Sequence, residues 1–89
     1  MSRPRFAPRA RRSTRILPPP TPDAIRAARE AAGHSQRQAA QTLAVASRTW
    51  QFWEDAQRSM PPAMLQLYLL LTGQTTVARA RQALTVEAQ

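Results

Sequence analysis

From Thr21 onward, apolar residues return at helical intervals, whereas over the first twenty positions they thin out among arginines and prolines. Ile25, Ala28 and Ala32 recur at the three- and four-residue spacing of one helix face. Thr21 can cap that helix, Pro22 suits its first position, and Asp23 complements the N-terminal dipole. Gly33 supplies the left-handed residue that ends it. Ser35 followed by Gln38 reads as a capping box, and it opens a second helix with apolar positions at Ala39, Ala40 and Leu43. After Ala44-Val45-Ala46 a third helix is predicted through about Ala56, with Trp50 and Trp53 on one face. A fourth begins around Pro61-Pro62, runs to Leu71 and is ended by Thr72-Gly73. Residues 74–89 read two ways: Val77, Ala80 and Leu84 fit a weak helix, Leu84-Thr85-Val86 a short strand, and only partial order is expected there.

The fourth helix carries more apolar residues than one core-facing stripe needs. Met64, Leu67, Tyr68 and Leu71 can face the core, which leaves Leu65, Leu69 and Leu70 on other faces. That surplus predicts a homodimer interface built on Leu65, Leu69 and Leu70. The alternative is that residues 74–89 fold back and cover those leucines within one chain.

Charge separates the chain into an arm and a domain. Of the net charge of +8, residues 1–20 hold +6, from Arg3, Arg5, Arg9, Arg11, Arg12 and Arg15 with no acid. The remainder sets seven arginines against five acids. An arm so poor in apolar residues is expected to be disordered in isolation, and its charge points to a polyanionic partner, usually nucleic acid. A solubilising tail is the plainer reading. The domain organisation expected is an arm over 1–20, a helical domain over 21–73 and a tail over 74–89, all-α in class.

Several function classes lose their support on composition. Without cysteine there is no disulfide or thiolate metal site, and the single His34 cannot build a metal cluster, so no metal or cofactor is expected. One histidine, no lysine and no pair of acids at a catalytic spacing argue against an enzyme. The longest apolar run, Leu67 to Leu71, is too short to span a bilayer, and no signal-peptide core follows the early arginines. The expectation is a cytoplasmic protein.

The second and third helices carry the most specific signal. Each is too small to bury its own face, and only about three residues join them, so they must pack at a steep angle. The second of the pair then projects its outer face away from the core, the geometry that lets a helix enter the major groove.

The stretch from Ser35 to Glu54 resembles the Xre/Cro/CI-type helix-turn-helix of phage and bacterial repressors. The resemblance rests on Ser35-Gln36 opening the second helix, Ala40 at the helix crossing, and Leu43 and Val45 flanking the turn. It extends to Trp53-Glu54 closing the third helix, the Pro-led helix that follows, and the spacing of Arg29, Gly33 and Gln36, covering roughly residues 22–73. It implies a four-to-five-helix, lambda-repressor-like domain that regulates transcription, probing double-stranded DNA as a homodimer on an inverted repeat. Three positions depart from the pattern. Ala44 stands where glycine is common, which implies a turn that is strained or less left-handed. Ala46 stands at the usual serine cap with Ser47 next, which implies capping shifted by one residue. His34 replaces an aliphatic residue, and a partly buried histidine satisfied by the backbone is expected there.

The resemblance places Ser47, Arg48 and Phe52 at base-reading positions, and Gln51 shares their outer face. Arg48 can donate a bidentate pair to guanine, giving discrimination on the order of 1–3 kcal/mol. Phe52 suits a thymine methyl group, with a protein interface as its alternative. Gln36 is assigned to a phosphate and to buttressing the third helix, and Arg37, Gln38 and Thr49 are further phosphate candidates. Arg29 and Glu54 match the family's ion pair. Arg9, Arg11, Arg12 and Arg15 of the arm would follow phosphates or enter a minor groove. Two other functions fit the same residues: an antitoxin whose tail grips a toxin while the domain controls its own operon, and a basic RNA- or ribosome-associated protein.

Overall fold

A computed structural model describes residues 17–85. These form five helices: α1 (Pro22–Ala31), α2 (Gln36–Thr42), α3 (Ser47–Glu54), α4 (Pro62–Leu71) and α5 (Val77–Leu84). Among the described residues there is no strand, so the protein is all-α, as the periodicity predicts. The tail resolves in favour of a helix. Thr76 caps α5 by accepting a hydrogen bond from the Arg79 N–H, and Ala80 is buried as α5 packs on α4. The expected arm divides. Residues 1–16, with Arg9, Arg11, Arg12 and Arg15, lie outside the described residues. Leu17, Pro18 and Pro20, by contrast, share a mostly apolar cleft with Pro62, Leu65, Gln66, Ala83 and Leu84. The packed unit therefore starts before Thr21 and ends well beyond Gly73.

The caps follow the residue chemistry closely. Thr21 accepts from the Ala24 N–H at 3.1 Å, with Pro22 in the first turn. Ser35 and Gln38 complete both halves of the capping box, at 3.1 and 2.8 Å. At their other ends, α1 to α4 share one device. In each, the residue past the cap is left-handed, and the next N–H reaches back to the carbonyl three residues before the cap. His34 donates to Arg29 at 3.1 Å, Val45 to Ala40 at 3.0 Å, Gln57 to Phe52 at 2.9 Å and Gln74 to Leu69 at 2.7 Å. The left-handed residues are Gly33, Ala44, Ala56 and Gly73, with φ of 73°, 58°, 62° and 75°. Of the two outcomes expected at Ala44, the turn is the strained one and keeps its left-handed conformation. Closing both bonds of this motif leaves no room for a relaxed φ, and alanine accepts the conformation at a steric cost.

The core centres on Trp50, which is fully buried among Ile25, Ala39, Ala40, Met60 and Tyr68. Its ring centroid lies 4.9 Å from Tyr68 and 5.7 Å from Trp53, tilted on the first and edge-on to the second. Ala39 and Ala40 have no exposed surface, and their small side chains let α2 approach α3 closely.

Helix α4 turns Met64 and Tyr68 inward as predicted, but Leu65 and Leu69 take the places expected of Leu67 and Leu71. Met64, Tyr68, Leu65 and Leu69 pack on the core, while Leu67 and Leu71 are 42% and 57% exposed. The inward stripe is centred near Tyr68 and Leu65, which leaves Leu67 off it, while Leu71, one turn beyond Tyr68, is the last residue of the helix. Leu65 and Leu69 are thus occupied within their own chain, and only Leu70 remains, half-buried, of the three residues expected at a dimer interface. Beyond α4, Gln74 ties the tail to the domain. Its Nε2 donates to the Ala28 carbonyl of α1 at 3.0 Å and to the Thr72 hydroxyl at 2.9 Å.

Candidate nucleic-acid interface

Helix α3 has an inner face fixed by a buried carboxylate. Only 1% of the Glu54 side chain is exposed, and both its oxygens are fully used. Arg29 donates through Nε to Oε2 at 2.6 Å and through Nη2 to Oε1 at 3.1 Å. Gln36 donates to Oε1 at 3.1 Å, and the Trp50 indole N–H donates to Oε2. Arg26 adds a longer ionic contact at 3.5 Å. Burial alone would push the Glu54 carboxyl up, but the hydrogen bonds from Arg29, Trp50 and Gln36 outweigh it and hold the group below its ordinary value. The hydrogen bond to Glu54 likewise holds the Arg29 guanidinium above its usual range against desolvation. Arg29 also donates to the His34 carbonyl at 3.1 Å, so one guanidinium joins α1, the α1–α2 turn and the end of α3.

The ion pair expected from the sequence is therefore present, and its carboxylate has three further partners. Gln36 performs the buttressing half of its expected role. Arg26 was not singled out by the sequence reading, although it lies one turn from Arg29 and pairs with Asp23 at 3.6 Å as well. His34 differs from expectation: its Nδ1 shares a 2.8 Å hydrogen bond with the Tyr68 hydroxyl, not with backbone. Burial pushes the Tyr68 phenol up, although Arg29 opposes this, so the hydroxyl keeps its proton. The aliphatic position has become a polar contact between the α1–α2 turn and α4.

The outer face of α3 is open. Arg48 and Gln51 are exposed, Ser47, Thr49 and Phe52 half-buried, and among the described residues no carboxylate pairs with Arg48. The helix begins at Ser47 with Ala46 as its cap, and no side chain accepts from its first turn. The predicted one-residue shift of capping does not occur. Ala46 is already extended at φ −68° and ψ 147°, which makes Ser47 the first helical residue and leaves its hydroxyl on the helix. The first turn of α3 thus has no side-chain cap, and its Thr49 N–H donates to the Ala46 carbonyl at 3.0 Å. Along α2, Arg37 is exposed, whereas Gln38 has its side-chain oxygen engaged by the Ser35 N–H.

One residue of this surface escaped the sequence reading. Arg58 follows the end of α3, and its guanidinium carbon lies 4.9 Å from the centre of the Phe52 ring. Its position beyond the predicted helix hid it, since nothing in the spacing of apolar residues shows where a chain turns back.

Among the described residues, no group of His, Asp or Glu is arranged to hold a metal ion, and no helix is long and apolar enough to cross a membrane. Comparison of the chain with protein-family models, with curated proteins and with solved structures finds no match.

Proposed function

We propose that this protein binds double-stranded DNA in a sequence-specific way and regulates transcription, with α3 as the helix that enters the major groove. The observation that carries the reading is the contrast across that helix. Its inner face is fixed by Trp50, Trp53 and the Glu54 cluster, and its outer face offers Ser47, Arg48 and Gln51 to solvent. A short helix held this rigidly presents its polar residues in one orientation, as recognition of base edges requires. Arg48 can read guanine, Ser47 and Gln51 can contact neighbouring bases, and Arg37, Thr49 and the α2 N-terminus can meet phosphates. Those phosphate contacts set register, not sequence. The arginines of residues 1–16 would add salt-dependent affinity.

A homodimer on an inverted repeat belongs to the same proposal, with its interface reassigned. Among the described residues, Leu67, Leu71 and Val77 are the large apolar residues left exposed, and with Leu70 they form its candidate contact. Selection of random duplex DNA on the purified protein tests the whole reading. Enrichment of an inverted repeat is expected; tight RNA binding with no enriched duplex motif would sink it.

A further inference from the structure

We infer that Phe52 serves as a platform that holds Arg58 in place for a DNA phosphate, and is not itself a base reader. The inference rests on the DNA-binding reading and assigns a role within it. Three observations meet at this point. First, α3 ends in a left-handed turn at Ala56, φ 62°, which folds the next residues against the last turn of the helix. Second, the N–H groups of Gln57 and Arg58 both donate to the Phe52 carbonyl, at 2.9 and 3.3 Å. The backbone of Arg58 is therefore anchored on the same residue whose ring its side chain covers. Third, the guanidinium carbon stands 4.9 Å from the ring centre, a cation–π distance, and among the described residues no carboxylate pairs with it.

The ring face covered by Arg58 is no longer free to lie against a thymine methyl group. What the unit offers instead is a planar cation with N–H donors at its edges, fixed at the end of the recognition helix. A flexible arginine must lose rotamer freedom on binding, whereas a stacked one has already lost part of it. The chemistry that fits is a phosphate oxygen of the duplex flanking the bases that Arg48 reads. Phe52 is a positioning residue and Arg58 the contact.

The test compares wild-type protein with Arg58→Ala, Phe52→Leu and the double variant on the selected operator. Affinity is measured across a salt series and thermal unfolding in parallel. Leucine keeps the apolar packing of Phe52 but lacks the ring. Arg58→Ala should lower the salt slope by about 0.9, so its deficit against wild type shrinks about 3.5-fold between 50 and 200 mM salt. Phe52→Leu should weaken binding in the same salt-dependent way and leave base preference unchanged. The double variant should bind no more weakly than Arg58→Ala. If Arg58→Ala keeps the wild-type slope, or Phe52→Leu relaxes preference at one base pair, the platform role is wrong while DNA binding stands. Failure of the wild-type protein to select any duplex would remove both readings together.

Discussion

The two faces of α3 are built from different physics. On the inner face, every polar atom of Glu54 is matched and every large ring touches another, so a change in one residue is felt by several. On the outer face Arg48 and Gln51 make no such contacts, and each can change without disturbing its neighbours. The difference teaches how so short a helix can be both structural and adaptable. Stability is concentrated on one side, and the other side is left free to vary, as the proposed DNA reading requires.

The comparison can be broken most severely from within. Arg29→Ala removes the principal partner of a carboxylate that stays buried, and the expected loss of stability is about 3–5 kcal/mol by chemical denaturation. Acid should act on the same point. Because the folded Glu54 carboxyl lies below its ordinary 4.5, the stability it contributes is complete above that pH. It is lost as pH falls through the lower, folded value. Glu54→Gln should flatten that part of a stability–pH profile, and an unchanged acid limb would show that other carboxylates govern it.

Changes outside should sharpen the contrast. Arg48→Ala is expected to leave unfolding within about 0.5 kcal/mol of wild type. The same change should cost on the order of 1–3 kcal/mol of discrimination at one base pair, read by competition between operator variants. A smaller effect of opposite sign is expected at the turn between α2 and α3. Ala44→Gly relieves a left-handed alanine but enlarges the freedom of the unfolded chain, for a net gain of about 0.5–1 kcal/mol in stability. A loss on melting would show that the methyl group of Ala44 has a packing role.

What was legible in the sequence is what local chemistry determines. Caps at Thr21 and Ser35, the left-handed Gly33 and the inward tryptophans each follow from a residue type and a spacing. The Arg29–Glu54 pair was legible through resemblance alone, because nothing in the spacing says that residues 25 positions apart will meet. The inward face of α4 was misjudged in part, for a related reason. In a helix so rich in leucine, periodicity does not choose a face, and the choice is made by where α2 and α5 pack. The partner of His34 and the stacking of Arg58 likewise depend on where the chain turns, a matter of three dimensions.

The side chain of Gln74 has a consequence for the order in which the chain assembles. Contacts within the α2–α3 pair join residues close in sequence and can form early at little entropic cost. The hydrogen bond from Gln74 to Ala28 closes a loop across 46 positions and requires α1 and the α4–α5 corner to be docked already. It is therefore expected to form late, after the folding transition state. Its weight falls on the rate at which the native protein comes apart, not on the rate at which it forms. On that expectation a single amide acts as a latch on lifetime, and the α2–α3 pair can assemble without it.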